Sequence, residues 1–422
     1  MEQLEIRGGH ALKGQIRISG AKNAALPMLA ATLLAQGTFK LRDVPALEDV
    51  NIFIKLLGEL GFSFKKDQGQ LLVDSSGLSS HEAPYELVRM MRASILVLGP
   101  LTARLGKAKV ALPGGCAIGA RPIDFHLRGL ELMGARLKLK EGYVEARARQ
   151  LSGAKIYFDI PSVTATENLM MAACIAKGKT VLENAAREPE VVALGEMLRE
   201  MGARIRGLGS ETVVIEGVRE LKPVDWKIIP DRIEAGTYLM AAGAAGGQLV
   251  LENIVPDHLE AIIRKLREAG LKIEVLDESA IKVRARGRLK SVDIKTLPYP
   301  GFPTDLQAQI MVLMATAGGL SVITETIFEN RFMHVAQLRR LGADIRIEGR
   351  SAIVRGVSAL TGAPVMATDL RASACLVLAG LAAKGKTTVA GLHHLNRGYE
   401  KMNEKLSAAG ARMKLVKVEQ PA

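Results

Sequence analysis

The sequence predicts an α/β fold built from six copies of one unit of about 70 residues, with apolar helices inside and sheets outside. Two glycine markers recur along the chain at spacings of 66 to 73 residues. One marker lies in a (Leu/Met/Ala)-Gly-(Ala/Leu/Phe) phrase, at Gly61, Gly134, Gly202, Gly270, Gly342 and Gly410. The other ends an apolar helix before a strand, at Gly37, Gly106, Gly178, Gly247, Gly319 and Gly385. Two independent markers with one period indicate a true internal repeat.

Each copy is predicted to contain two kinds of helix. The first kind is apolar on nearly every side and must therefore be buried on every side. Its clearest examples are residues 24–34, 93–105, 166–176 and 372–383. The second kind carries charge on one face, as in residues 188–200, 258–268 and 397–408.

Short strands follow the helices of each copy. Arg136–Lys140 and Asp344–Glu348 alternate apolar and charged residues. This alternation places one face of each sheet in water. The two patterns together predict buried helices inside and half-solvated sheets outside.

Six copies divide into two domains of three. We predict one domain at residues 22–229 and a second at 1–21 with 230–422, with the seam at 223–231 around Trp226. Residues 4–18 are predicted to form a strand pair with no helix before it, while the last copy lacks its second strand pair. The N-terminal strands are therefore expected to complete the second domain, which makes two crossings between domains and a double hinge.

Composition excludes several classes of protein. Hydrophobic residues make up 48% of the chain, enough to fill real cores. We find no leader peptide and no apolar run of the ~18 residues that a membrane span needs, so we expect a soluble, cytoplasmic protein with no membrane partner. Cys116, Cys174 and Cys375 lie far apart, which favours neither disulfides nor a metal site. The last two lie in apolar helices and are expected to be inert.

The net charge of +13 favours anionic partners without saying which. Most of the lysines are expected to lie on a solvated surface. No run of five or six basic residues is present, and aromatic residues make up only 4% of the chain. Because nucleic-acid arms are basic and bases stack on aromatic rings, we expect no nucleic-acid partner.

The segment 113–124 is built to touch a ligand. It reads Pro-Gly-Gly-Cys-Ala-Ile-Gly-Ala-Arg-Pro-Ile-Asp and holds Cys116 among three glycines, with Arg121 before Pro122 at a predicted helix entry. A nearby cation and a helix N-terminus favour the thiolate, so we predict a functional thiol. The alternative is a small buried hydrophobic residue.

Polar residues open the buried helices, at Lys22, Arg92, Thr164, Arg232, Asp305 and Arg371. In a pseudo-threefold domain these positions converge, and free N–H groups at helix N-termini attract anions. We therefore predict a cationic cleft that encloses a phosphorylated substrate. The alternative for Arg232 with Asp231 is a helix cap or a satisfied ion pair. His393 and His394 are expected to be surface or packing residues.

The motifs resemble those of the enolpyruvyl transferases along essentially the whole chain. They are Ser-Gly-Ala-Lys-Asn-Ala-Ala at 19–25, Met-Arg-Ala-Ser at 91–94, the cysteine segment at 113–124, Ala-Thr-Glu-Asn at 165–168, Pro-Thr-Asp at 303–305, Asn-Arg-Phe at 330–332, Asp-Leu-Arg at 369–371 and Arg-Gly-Tyr-Glu at 397–400. The resemblance implies a two-domain inside-out α/β barrel with three repeats per domain. Two departures from the family pattern are Asn396, where we expect Asp, and Thr164, where many relatives carry Gly.

The resemblance implies an activity. The enolpyruvyl group of phosphoenolpyruvate moves to the 3-hydroxyl of UDP-N-acetylglucosamine by addition and then elimination of phosphate, the first committed step of peptidoglycan synthesis. No metal or organic cofactor is needed, and we expect a monomer or a weak homo-oligomer.

The resemblance also implies roles for individual residues. Cys116 fits the acid that protonates the enol carbon, and Asp305 fits the base for the sugar hydroxyl. Fixed cations would hold the phosphate and carboxylate of phosphoenolpyruvate, namely Lys22, Arg121, Arg331, Arg371 and Arg397. The remaining implied substrate contacts are Asn23, Arg92, Pro122, Ile123, Asp124, Phe125, Ile160, Pro161, Ser162, Val163, Ile327 and Asp369.

Two alternatives stay open at this point. Transfer of the same group to shikimate 3-phosphate is the nearer one, and Cys116 argues against it because the shikimate enzyme lacks this cysteine. An RNA-binding or RNA-end-modifying protein of similar repeat architecture would also be basic, and its affinity for RNA would fall steeply with salt.

Overall fold

A computed structural model describes residues 2–67, 69–112 and 123–417. These residues form two compact units. Unit A comprises the described residues of 20–112 together with 123–229, and unit B comprises 2–19 and 230–417. Cys116, Arg121 and Pro122 lie outside the described residues.

Unit A contains three four-stranded sheets. In spatial order their strands are Asp225–Lys227, Thr38–Arg42, Gln70–Asp74 and Ser63–Asp67; Glu82–Ala83, Lys107–Ala111, Tyr143–Arg147 and Arg136–Lys140; and Lys155–Tyr157, Lys179–Glu183, Thr212–Glu216 and Arg204–Arg206.

Unit B also contains three four-stranded sheets. Their strands, again in spatial order, are Leu12–Arg17, Gly247–Glu252, Ala280–Ala285 and Lys272–Asp277; Ile294–Lys295, Leu320–Thr324, Ser351–Arg355 and Asp344–Glu348; and Pro364–Met366, Lys386–Ala390, Glu2–Arg7 and Arg412–Lys417.

All six sheets share one topology. In each of them the first two strands are parallel, and the third and fourth follow antiparallel. This common order confirms the predicted sixfold repeat.

The prediction that residues 4–18 form a strand pair is wrong. Glu2–Arg7 lies between Lys386–Ala390 and Arg412–Lys417, whereas Leu12–Arg17 pairs with Gly247–Glu252 of another sheet. Glu2–Arg7 takes the place of the strand that would follow Arg412–Lys417 in the last repeat. Leu12–Arg17 supplies the parallel edge strand of the sheet that contains Gly247–Glu252. Each strand therefore completes a different repeat.

The apolar helices are buried as predicted. In unit A they are Lys22–Ala31, continued by the 3-10 turn Thr32–Leu34; Leu98–Leu105, preceded by the 3-10 turn Arg92–Val97; and Val163–Ala173. In unit B they are Arg232–Ala245; Gln307–Thr316, preceded by the 3-10 turn Thr304–Leu306; and Leu370–Ala382. The three buried helices of unit B pack on one another. Such helices can be apolar all round because neighbouring helices and sheets cover every side.

The amphipathic helices pack on the buried ones. They are Glu48–Glu59, Tyr85–Val88, Asp124–Leu132 and Pro189–Glu200 in unit A, and Glu260–Glu268 with its preceding 3-10 turn Pro256–Leu259, Val335–Arg340, His393–Asn396 and Met402–Ala408 in unit B. The predicted single helix at 397–408 is wrong, because Lys401 has a left-handed φ of 51° that an α-helix cannot contain. Arg397 instead ends the short helix His393–Asn396.

Within the described ranges, no helix is long and apolar enough to cross a membrane. Cys174 and Cys375 are fully buried, and burial raises the pKa of both thiols. These two cysteines are inert core residues, as predicted. The rings of His393 and His394 contact each other at 4.0 Å between centroids and His393 is exposed, in agreement with the prediction of surface or packing residues.

Candidate active site

A charged centre lies at the mouths of two buried helices in unit B. Asp305, in the turn Thr304–Leu306, accepts a hydrogen bond from Arg331 Nη2 on Oδ1 at 2.7 Å and one from Arg371 Nη2 on Oδ2 at 2.8 Å. Arg371 belongs to the first turn of Leu370–Ala382. The predicted convergence of Asp305 and Arg371 is therefore confirmed.

Burial makes this centre electrostatically strong. The side chains of Arg331 and Arg371 are only 6% and 5% exposed, against 25% for Asp305. Burial by itself would raise the pKa of Asp305, but the guanidinium groups of Arg371 and Arg331 outweigh it and hold the pKa of this carboxyl well below its usual range. Burial likewise opposes the charge on Arg371, and Asp305 outweighs it and raises the pKa of that guanidinium. The three groups are a carboxylate between two fixed cations.

Asp369 fixes the start of the helix that carries Arg371. Its Oδ1 accepts hydrogen bonds from Arg371 N at 2.8 Å and from Ala372 N at 3.0 Å, the geometry of a helix N-cap. Asp231 caps Arg232–Ala245 in the same way, through Ile233 N and Glu234 N. The capping alternative considered for Asp231 is therefore confirmed.

A neutral hydrogen-bonded layer lies beneath Arg371. Its guanidinium carbon stands 5.5 Å from the centroid of the Tyr399 ring. The Tyr399 hydroxyl pairs with Thr237 Oγ1 at 2.9 Å and accepts from Gln309 Nε2 at 3.0 Å. Tyr399 therefore supports the cation by its ring and is itself held by two buried polar side chains.

Unit A places Lys22 at the first residue of Lys22–Ala31. Its Nζ donates to Asp49 Oδ2 at 2.9 Å, and the two side chains are 10% and 4% exposed. Asp49 lies in the first turn of Glu48–Glu59. The ion pair therefore ties the start of Lys22–Ala31 to the first turn of Glu48–Glu59.

His126 is held by two residues of the buried helix Val163–Ala173. Asn168 Oδ1 accepts from Gly99 N at 2.7 Å, so its Nδ2 faces His126 Nδ1, at 2.8 Å. Nδ1 must then accept, and Nε2–H donates to Thr164 Oγ1 at 3.2 Å. Burial, assisted by the charge of Arg92, lowers the pKa of His126 to about 3. Thr164, one of the two departures from the family pattern, therefore provides the acceptor for a neutral histidine.

Phe125, a predicted substrate contact of unit A, packs on an aromatic ring that precedes the predicted contact segment 160–163. Phe125, in the helix Asp124–Leu132, packs edge-on against Phe158 with 5.8 Å between centroids. Residues 160–163 follow Phe158, and Ile160 is 65% exposed. Ile123 is buried and Asp124 is exposed at the helix start.

The structure places the other predicted residues as follows. Asn23 is half-buried beside Lys22, and Arg92 begins a 3-10 turn. In unit B, Ile327 N donates to Glu325 Oε1 at 2.8 Å. The sequence alone did not single out Asp49, His126, Glu325 and Tyr399. Each of them makes a hydrogen bond to a residue 21 to 162 positions away. A buried polar residue inside an apolar segment is the one signal that could have suggested Glu325.

Over the described ranges, no group of three or more His, Cys, Asp or Glu side chains could hold a metal ion.

Comparison with known proteins places these features in one family. The family model for EPSP synthase (3-phosphoshikimate 1-carboxyvinyltransferase) matches residues 6–406. The chain is 56% identical over 417 residues to the UDP-N-acetylglucosamine 1-carboxyvinyltransferase of Desulfatibacillum aliphaticivorans, covering 99% of this chain and all of that protein. It is 56% identical over 414 residues to the protein of the same name from Myxococcus xanthus (strain DK1622), covering 97% of this chain and 98% of that one.

Solved structures agree with the fold. The enolpyruvyl transferase NikO from Streptomyces tendae superposes with a TM-score of 0.89 at 26% identity, covering 99% of both chains. EPSP synthase from Acinetobacter baumannii superposes with a TM-score of 0.76 at 18% identity, covering 99% of this chain and 100% of that one, which shows the shared fold alone. The predicted α/β architecture is confirmed.

Proposed function

Because the chain belongs to the enolpyruvyl transferase family, we propose that it transfers the enolpyruvyl group of phosphoenolpyruvate to the 3-hydroxyl of UDP-N-acetylglucosamine. Phosphate is released, and the product enters peptidoglycan synthesis. The observation that carries the proposal is 56% identity along nearly the whole chain to relatives named for this reaction. The charged centre of unit B supplies groups that suit it.

The reaction needs one acid and one base in its addition step. The sugar oxygen bonds to C2 of phosphoenolpyruvate while C3 gains a proton; the elimination then breaks the bond from C2 to the phosphate oxygen as C3 loses a proton. We assign the acid to Cys116 and the base to Asp305. Lys22, Arg121, Arg331, Arg371 and Arg397 hold the phosphate and carboxylate, because multiply charged anions require several charge-assisted donors.

The ion pairs of Asp305 bear on its role as a base. While Arg331 and Arg371 both donate to it, the carboxylate is ionised but holds a proton poorly. An anionic substrate that takes hydrogen bonds from the same guanidinium groups weakens these pairs and raises the pKa of Asp305. Binding of phosphoenolpyruvate would therefore make Asp305 a stronger base when the acceptor hydroxyl is present.

The nucleotide sugar is assigned to the remaining predicted contacts, among them Asn23, Arg92, Asp124, residues 160–163 and Ile327. The predicted domains, 22–229 and 1–21 with 230–422, stay a prediction as functional domains. The monomeric or weakly oligomeric state and the cytoplasmic location stay predictions as well.

Acceptor choice tests the proposal. The purified protein is incubated with phosphoenolpyruvate and UDP-N-acetylglucosamine, shikimate 3-phosphate or no acceptor, and released phosphate is measured. We expect release only with UDP-N-acetylglucosamine. Release with shikimate 3-phosphate alone would reassign the acceptor. No release, together with RNA affinity that falls steeply with salt, would favour the RNA-binding alternative.

Variants of Cys116 test the assigned acid. Cys116→Asp should retain substantial turnover with a more acidic optimum, since Asp titrates ~4 to 5 pH units below Cys. Cys116→Ala should be nearly inactive. The family resemblance implies that the epoxide fosfomycin alkylates this thiol, so the Asp variant should be active and unlabelled. The buried Cys174 and Cys375 serve as internal controls in the mass spectrum. Labels on either of them, or an active Ala variant, would contradict the assignment.

A further inference from the structure

Glu325 is a buried carboxylate that the proposed chemistry does not use. It directly follows the strand Leu320–Thr324 and is only 1% exposed. Its Oε1 accepts hydrogen bonds from Thr296 Oγ1 at 2.9 Å, Ile327 N at 2.8 Å and Phe328 N at 3.2 Å. Its Oε2 accepts from Thr304 Oγ1 at 2.8 Å. Both oxygens act only as acceptors, as those of an ionised carboxylate do.

The hydroxyl of Thr304 connects this carboxylate to Arg331. Having donated its proton to Glu325, Thr304 Oγ1 accepts from Arg331 Nη1 at 3.0 Å. The other terminal nitrogen of Arg331 donates to Asp305 Oδ1 at 2.7 Å. One guanidinium therefore bridges Thr304 and Asp305, and its orientation depends on the proton that Glu325 accepts.

Glu325 also holds Arg331 from a second side. The backbone N–H of Phe328 donates to its Oε1, and the guanidinium carbon of Arg331 lies 5.2 Å from the centroid of the Phe328 ring. Ile327, a predicted substrate contact, is fixed by the same oxygen. A single buried carboxylate thus sets the position of Arg331 through the Thr304 hydroxyl and through the Phe328 ring.

We propose that Glu325 is a positioning residue of the active site, which aims Arg331 at Asp305 through the Thr304 hydroxyl. The inference rests on the proposed function, because it gives Asp305 and Arg331 their roles. What matters is the direction of the hydrogen bonds. A carboxylate requires Thr304 to donate, and this leaves a lone pair of its oxygen for Arg331 Nη1.

Glu325→Gln tests this direction with almost no change in shape. The three donors at Oε1 hold the amide oxygen on their side, so the NH2 group faces Thr304 Oγ1. The amide and Arg331 Nη1 then both donate to the Thr304 oxygen, whose two lone pairs are filled and whose own proton has lost its acceptor. The unpaired hydroxyl proton and the lost negative charge both weaken the hold on Arg331, and we expect kcat at saturating substrates to fall about tenfold. The matched control is Glu348→Gln, a change at an exposed carboxylate of the same unit, which should retain wild-type kcat.

Thr304 provides a second pair of variants, which bear on the inference even if Glu325→Gln folds poorly. Thr304→Ser keeps the hydroxyl and should retain kcat within about threefold. Thr304→Val keeps the shape but removes the hydroxyl, and it should lose about tenfold. A purely structural role for this site would make the Ser and Val variants alike, so equal kcat values for the two would overturn the inference.

A double-mutant cycle decides whether the two residues act through one chain of hydrogen bonds. We expect the variant with Glu325→Gln and Thr304→Val to lose no more than about tenfold, because the second change removes a link already broken. A loss of about a hundredfold, the product of the two single losses, would contradict the chain. A wild-type protein without UDP-N-acetylglucosamine-dependent phosphate release would contradict the proposed function. Wild-type turnover by Glu325→Gln in an active protein would contradict this inference alone.

Discussion

The mouths of the buried helices are organised differently in the two units. In unit B a carboxylate, Asp305, lies between two guanidinium groups. In unit A, His126 is held neutral between Thr164 and Asn168. Glu167, near the start of the third buried helix, has its pKa raised well above the usual range, chiefly by burial and then by Glu190 and Glu188. The groups around Asp305 in unit B are therefore charged, whereas those around Thr164 in unit A are neutral.

The difference shows how a repeated helix mouth can acquire two chemistries. A buried charge is tolerated only when a partner lies at hydrogen-bond distance, and Asp305 has two. Where no such partner is within reach, burial favours the neutral form, as in His126 and Glu167. The ion pair of Lys22 with Asp49 is the charged element of unit A, and the acid of that pair comes from a neighbouring amphipathic helix.

The largest expected effect is a difference in kcat between variants of two carboxylates, Asp305 in unit B and Asp49 in unit A. Asp305→Asn removes the proposed base and should lower kcat about 1000-fold, within the range for loss of a general base. Asp49→Asn removes only the charge facing Lys22 and should cost about tenfold, mainly in KM for phosphoenolpyruvate. Steady-state kinetics check both, with urea midpoints confirming that each variant is folded. Equal losses in kcat would show that the unit A pair is as central to the chemistry as Asp305.

The neutral character of unit A predicts a pH effect on its stability. The folded pKa of His126, about 3, lies below the ordinary value near 6.5. The contribution of neutral His126 to the free energy of unfolding is fully present above pH 6.5. It is lost as pH falls toward 3, because over this range the unfolded chain binds a proton at this residue and the folded chain does not. At pH 4.5 the free energy of unfolding should have lost about 3 kcal/mol from this residue, at about 1.4 kcal/mol per pH unit.

Trp226, the only tryptophan, lies in unit A, so its fluorescence in urea titrations reports the unfolding of that unit. The loss between pH 7 and pH 4.5 should be about 3 kcal/mol smaller in His126→Gln than in wild type. His393→Gln, at an exposed residue of unit B, is the control and should behave as wild type. Parallel pH profiles for wild type and His126→Gln would rule out a neutral buried histidine.

The smallest effect concerns the neutral layer under the charges of unit B. Tyr399→Phe keeps the ring beneath Arg371 but removes the hydroxyl that pairs with Thr237 and Gln309. We expect the free energy of unfolding of unit B to fall by about 1 kcal/mol, as measured by hydrogen exchange. Turnover should be nearly unchanged. Tyr157→Phe, at an exposed ring, should change stability by less than about 0.5 kcal/mol. A large loss of turnover would place the Tyr399 hydroxyl in the chemistry.

Much of the fold could be predicted because it follows from short-range sequence patterns that repeat along the chain. Helix burial follows from side chains that are apolar on every face, and strand orientation follows from alternation, so 24–34 and Asp344–Glu348 were placed from composition and period alone. The break at Lys401 could not be predicted in this way. It depends on a left-handed backbone that the pattern of apolar residues does not encode.

The sequence by itself determined six repeats, buried helices and the charged residues at their mouths, because each of these is written in short-range patterns. Only the tertiary structure decided the partners. Asp305 meets Arg371 across 66 residues, His126 meets Asn168 across 42 and Lys22 meets Asp49 across 27. The same holds for the N-terminal strands, which joined two different sheets rather than each other. Pairings of this kind depend on which surfaces the packed helices and sheets bring together, and local periodicity does not specify that.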